Sequence, residues 1–195
     1  MSPHLQSRRE VGQILSQGSV PVIRLRAAII VGTGSASYEL MKALILNNRF
    51  IPFLPEFNSL CQPIAIRDVI KYLVGVLETP SLESSVYPIG CKNILNYKEM
   101  IQKFAKILNR NVRFVDVSWV PFPVKFMFRV YAYWLHFFSS IPINITSLLL
   151  NSLKTDVVCT DNKIASVLSF EPVDFYTAVQ WAQEKEKKSM VFSHW

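Results

Sequence analysis

Val20-Pro21-Val22-Ile23-Arg24-Leu25-Arg26-Ala27-Ala28-Ile29-Ile30-Val31 is the stretch on which the fold turns. It reads as one strand, apolar along most of its length. That is the pattern of a strand buried on both faces in a parallel sheet covered by helices, not the alternation of an edge hairpin. Such a strand needs parallel neighbours. Few candidates follow it and none precedes the helical pattern upstream, so the expectation is the C-terminal half of a larger α/β protein, with the parallel partners outside this chain. Strands alternating with helices further along give the same α/β class.

Immediately upstream, Ser2 is placed to cap a helix with Pro3 at its first position. Leu5, Val11, Ile14 and Leu15 form an apolar stripe, and Gly18 is a natural stop. Immediately downstream lies the small-residue turn Gly32-Thr33-Gly34-Ser35, with Ser35 or Ser37 placed to cap a helix over 38–46. Residues 49–60, with Pro52 and Pro55, read as loop. Pro63-Ile64-Ala65-Ile66 is a short strand, and Arg67-Asp68 opens a helix through Leu77 with Asp68 suited to the positive helix start. Residues 86–90 form another short strand, in which Pro88 signals an edge or irregular pairing. Asn96 caps a helix with Met100, Ile101, Phe104 and Leu108 on one face, and residues 112–117 alternate as a strand. Asp161 is placed to cap a helix through Leu168, and residues 175–188 close the chain as an amphipathic helix.

Residues 122–153 are rich in aromatics and carry no formal charge between Val130 and Leu150. That length approaches a membrane span. His136, Pro142 and Asn144 interrupt it, which favours two buried or pocket-lining helices broken at 139–142 over a span. A helix lying on a membrane surface is the remaining alternative.

Half of the 195 residues are hydrophobic and 18% are charged, enough for a core and against disorder. The net charge of +7 suits acidic partners, although charge of this size also serves simply as a basic solvated surface. The basic residues are scattered and form no stripe with interleaved aromatics, so nucleic acid is not expected as a partner. Cys61, Cys91 and Cys159 are odd in number, without a Cys-x-x-Cys pair, so neither a structural metal nor a disulfide framework is expected. They fit buried thiols in a reducing, cytoplasmic setting. No apolar run follows the first basic residues in the manner of a signal peptide.

Three places could carry chemistry. His4 and Arg8, four apart on a helix, share a face; histidine can donate a proton and arginine can hold a phosphate or a ribose hydroxyl. Spacing alone equally fits an ordinary exposed helix face. The Gly32-Thr33-Gly34-Ser35 turn ends the decisive strand, where open α/β sheets bind ligands and glycine admits close backbone approach. It is neither a phosphate loop nor a dinucleotide fingerprint, and no Gly-x-Gly-x-x-Gly occurs in the chain. Arg67, at the strand-to-helix junction, could face an anionic ligand, while a plain helix start explains it as well. His136 reads as a packing residue, His194 lies in a frayed tail, and no metal-ligand set, carboxylate dyad or nucleophile–base triad stands out.

Taken together, Ser2-Pro3-His4-Leu5-x-Ser7-Arg8-x-Glu10-Val11-Gly12, Leu25-Arg26-Ala27-Ala28-Ile29-Ile30-Val31-Gly32-x-Gly34-Ser35 and Gln62-Pro63-Ile64-Ala65-Ile66-Arg67-Asp68-Val69 resemble the extended and atypical short-chain dehydrogenase/reductases. The likeness is to their NAD(P)-binding, nucleoside-diphosphate-sugar epimerase-like branch, and it covers nearly the whole chain. It implies the C-terminal part of a Rossmann-like, doubly wound domain over 1–80 and a small, mostly helical substrate-domain region over 81–195, with the strands of 81–120 free to rejoin the first. It implies NAD or NADP, undistinguished, as cofactor, with a dinucleotide and a small-molecule substrate bound by an intact relative. Catalytic roles fall on His4 and Arg8, where the family's Tyr-x-x-x-Lys would stand. Cofactor contacts fall on Arg8, Gly32, Thr33, Gly34 and Ser35, and a substrate contact on Arg67. The replaced Tyr and Lys, and the Gly-rich half the resemblance places ahead of Met1, make weak or absent activity the expectation for this chain alone. The expected partner is that N-terminal half or a second copy. The alternative is a non-catalytic module of the same fold that binds a protein or, less favoured, a membrane surface.

Overall fold

The computed structural model describes residues 3–79, 82–117, 124–139, 141–161 and 163–188. The elements run α1 (Pro3–Leu15), β1 (Arg24–Ala27), β2 (Ile30–Val31), α2 (Ala36–Asn47), β3 (Phe50–Phe53), β4 (Leu60–Cys61), β5 (Ile64–Ala65), α3 (Ile66–Glu78), β6 (Val86–Ile89), β7 (Leu95–Asn96), α4 (Tyr97–Ile107), β8 (Arg113–Asp116), α5 (Val124–Phe138), α6 (Ile143–Ser152), α7 (Lys163–Val167) and α8 (Phe175–Lys188). The class is mixed α/β. Ser2, the expected cap of α1, lies outside the described residues.

The decisive stretch is one ribbon broken in the middle. β1 pairs in parallel with β6, Arg24 opposite Val86 and Ala27 opposite Ile89. β2 pairs in parallel with β5, Ile30 opposite Ile64. The Ile29 carbonyl, in the break, accepts the Ile64 N–H at 2.8 Å. Two expectations are corrected here. The ribbon finds parallel partners inside the chain, because the crossovers through α2 and α3 return strands to its side. It is also only half-buried, with Arg26 exposed, and among the described residues β1 has no strand on its second edge.

A third parallel pair, β3 with β8, corrects the reading of residues 49–60 as loop. Pro52 sits opposite Val115 in a ladder with one described partner, a place where a missing N–H is tolerated. A 3-10 turn over Pro55–Asn58 follows, with proline at its start. β4 and β7 form a short antiparallel pair, and Cys61 also bridges to Val157.

Most helix starts follow local chemistry. The Ser35 hydroxyl accepts the Tyr38 N–H at 3.3 Å and starts α2. Asn96 and Glu99 form a reciprocal capping box at α4, at 2.8 and 2.9 Å. Phe104, fully buried, stacks on Tyr38 with centroids 5.1 Å apart and centres a core built by α2, α4, α5, α6 and α8. The break at 139–142 separates α5 from α6 as expected, and Tyr131, Ala132 and Leu135 enter this core.

A second apolar cluster lies between the β1–β6 ladder, α3 and α7, around Ile64, Tyr72, Tyr87 and Leu168. Asp68 closes it. The sequence suggested a dipole role for Asp68, but its side chain is fully buried, accepting the Val173 N–H at 2.8 Å and the Lys71 ammonium at 2.9 Å. It thereby pins the segment before α8 onto the start of α3.

Helices α1 and α3 keep apolar stripes in water: Val11, Ile14 and Leu15 on α1, and Ile66, Ile70, Leu73, Val74 and Leu77 on α3.

Removing Asp68 strands the partly buried Val173 N–H. Asp68→Ala is expected to lower stability by about 1–3 kcal/mol, read as a lower urea midpoint at unchanged slope. Asp68→Asn, which keeps an acceptor, loses less. Equal midpoints for both variants and wild type would refute the pinning role.

Candidate functional site

α8 assembles the candidate site. The Thr33 hydroxyl donates to the Ala182 carbonyl at 2.9 Å, and the Arg67 guanidinium lies 4.7 Å from the centroid of the Trp181 ring. Further along α8, Glu186 meets the Lys42 ammonium and accepts from the Tyr38 hydroxyl at 3.4 Å, fastening α8 to α2. The turn and Arg67, 32 positions apart in sequence by number, thus meet through one helix from the far end of the chain.

The turn is shaped by two glycines. Gly34 has φ 81°, a conformation that disfavours other residues, and its N–H donates to Glu39 at 3.0 Å. A Cβ on Gly32 would stand 2.7 Å from Ile66 Cγ2, so strand end and α3 start touch backbone to side chain. The hydroxyls point inward: Thr33 to Ala182, and Ser35 to the Ile30 carbonyl at 3.0 Å. They are committed to structure rather than offered to a ligand. Arg67 is exposed and, among the described residues, has no carboxylate partner, so its guanidinium edge is open to an anion.

α1 stands apart from this group. Its Gly12 sits over the Arg24 side chain at the start of β1, while Gln6 to Val11 and residues 13–15 are exposed. Arg8 is exposed with no hydrogen bond among the described residues to the turn. His4 falls on the α1 backbone, and its side chain lies outside what the structure describes.

Two features were invisible in the sequence. A shallow cleft at the C-terminal ends of β1 and β6 is lined by Arg26, Pro88, Val158 and Cys159. Carboxyl ends of parallel strands are where α/β sheets receive ligands, and exposed Arg26 supplies a cation there. Beside it, the Gln62 amide donates to the Cys91 carbonyl and accepts the Cys159 N–H at 2.9 Å. This draws together thiols that the sequence spaces far apart. All three are free. Burial pushes Cys61 from 9.0 up to about 12 against a lowering hydrogen bond from Tyr97, and burial also raises Cys91 and Cys159. They are protonated near neutrality and poor nucleophiles. Among the described residues no cluster of histidine, cysteine and carboxylate suits a metal. His136 bonds the Ile141 carbonyl at 2.8 Å across the α5–α6 break, a structural role.

No protein-family model and no curated protein matches the sequence. Solved structures do match its fold. One is a nucleoside-diphosphate-sugar epimerase from Staphylococcus aureus, with TM-score 0.61 and 10% identity over 86% of this chain and 55% of that one. Another is the UDP-glucuronic acid 4-epimerase from Bacillus cereus in complex with UDP-glucuronic acid and NAD, with TM-score 0.57 and 15% identity over 92% and 50%. A third is RMD from Pseudomonas aeruginosa complexed with NADPH, with TM-score 0.55 and 11% identity over 87% and 49%. The fold is that of the C-terminal portion of these Rossmann-like structures. The chain spans about half the length of the structures it matches.

The raised thiol and phenol pKa values fix an alkaline limit. The fold accommodates protonated Cys61, so its contribution is complete below pH 9.0 and is lost as pH climbs toward about 12. Tyr38, Tyr97 and Tyr131, raised above 10.0 chiefly by burial, add to the same loss at higher pH. Urea midpoints are expected to stay level from neutrality to 9.0 and then fall. Cys61→Val is expected to make the fall shallower, leaving the shares of Cys91, Cys159 and the tyrosines, and a wild-type midpoint that stays level to pH 12 would contradict this.

Proposed function

We propose that this chain is the C-terminal part of an NAD(P)-dependent, epimerase- or oxidoreductase-like protein acting on a small substrate with an anionic group. The observation that carries the reading is the fold match, over about half the length of structures solved in complex with NADPH or with NAD and UDP-glucuronic acid. The residues present fit only one end of such a dinucleotide. Gly32 and Gly34 allow a close backbone approach, whereas no Gly-rich loop opening a helix is available for a pyrophosphate.

In this reading Arg8 holds the nicotinamide ribose, His4 keeps a proton on its imidazole for the substrate oxygen, and Arg67, steadied on Trp181, holds the substrate's anionic group. The nicotinamide ring supplies the hydride chemistry when bound. Residues 1–80 belong with the dinucleotide-binding domain and residues 81–195 with the substrate domain, although β6 and β8 pair back across that division. The open edge of β1 and the apolar stripes of α1 and α3 support packing against an N-terminal, dinucleotide-binding half. Three free thiols support a reducing compartment such as the cytosol.

A non-catalytic reading draws support from one observation: the Thr33 and Ser35 hydroxyls are already spent on backbone carbonyls.

Titration of this chain alone separates the outcomes. NADPH added to isotopically labelled protein is expected to shift the amides of α1 and of residues 32–35 only in the millimolar range, and Arg8→Ala is expected to abolish the shifts. Micromolar binding by calorimetry would refute the need for a further half. No shift at any concentration would favour the non-catalytic module.

A further inference from the structure

α5 has two apolar faces, and one of them enters the core formed by the described residues. Tyr131, Ala132 and Leu135 are buried against the main core. Phe126, Val130, Tyr133 and Phe137 are exposed, Phe137 to 83% and Tyr133 to 57%. Spacings of four, three and four residues align them as one outward stripe, which exposed Arg129 joins. The formal charge of α5 itself has one sign: its sequence carries Lys125 and Arg129 and no aspartate or glutamate, and none occurs from residue 117 through 155. The nearest carboxylates in sequence are Asp116 and Asp156.

The other apolar stripes differ. The α1 stripe runs beside Glu10 and the α3 stripe ends at Glu78, so both carry the mixed charge of an ordinary protein contact. A second copy is a poor occupant for α5, because a two-fold contact would bring cations of both copies together with no carboxylate in the stretch to offset them. An exposed aromatic stripe on a helix whose only formal charges are cations suits the headgroup region of an anionic bilayer, where rings sit at the acyl boundary and arginine reaches phosphates. The helix has 15 residues, about 22 Å by the usual rise, short of the roughly 30 Å hydrocarbon core. Among the described residues no helix is long and apolar enough to cross a membrane.

We propose that the outward face of α5 seats on an anionic lipid surface, with Phe137 and Tyr133 at the acyl boundary and Arg129 on lipid phosphates. This stands independently of any dinucleotide chemistry.

The full chain is mixed with vesicles of phosphatidylcholine alone, or with phosphatidylserine added at about one lipid in three, and sedimented alongside a lipid-free control. Co-sedimentation with the anionic vesicles is expected, roughly tenfold stronger than with the neutral ones and weakened by salt. Tyr133→Asp with Phe137→Asp is expected to abolish it, and Arg129→Glu to remove the preference for anionic lipid. Near-ultraviolet circular dichroism checks that both variants keep the wild-type fold. The proposal is overturned if the chain pellets with neither vesicle, if it pellets equally with both, or if folded variants pellet like wild type. It is also overturned if the Asp pair instead turns a lipid-free dimer into monomer in sedimentation velocity.

Discussion

Parallel pairing along residues 24–31 is the constraint on which everything else rests. Parallel strands require crossovers, and here the crossovers are α2 and α3. By pairing first with β6 and then with β5, the ribbon fixes where both helices start. That in turn sets Gly32 against Ile66 and brings the turn beside Arg67. The break at Ala28 and Ile29 lets one stretch of chain serve two partners.

The remaining order comes from contacts of long sequence separation. Asp68 holds the segment before α8 through Val173, and Glu186 fastens the end of α8 to Lys42 and Tyr38. α8 therefore acts as a clasp over the site, with Trp181 and Ala182 supplying a ring face and a carbonyl. A burial of this kind, one carboxylate holding a distant loop, makes the patch sensitive to changes far from it.

Much of this was readable because it is local. Asn96 followed by Glu99, Ser35 before an apolar run, and Pro142 in the aromatic stretch each act within one turn of helix, and each marks its boundary in the structure. The β3 strand was missed because Pro52 and Pro55 mask a pattern that only β8, some sixty residues on, completes. Asp68 was assigned to the helix dipole because its true partner, Val173, is 105 residues away. Arg67 was legible as a cation at a junction; its seat on Trp181 was not. The gathering of Cys61, Cys91 and Cys159 around Gln62 likewise has no local signature.

The ribbon's two edges are unequal. One is satisfied by β6 and β5, while the other has no described strand, and helices α1 and α3 keep apolar residues in water. Such an edge invites a further strand. Residue-resolved amide hydrogen exchange on β1 tests this most directly. Arg24 donates to the Ser85 carbonyl, so by alternation Arg24 and Arg26 should be protected while Leu25 and Ala27 exchange freely. Protection of all four amides, or of Leu25 and Ala27 instead, would contradict a one-sided parallel ribbon.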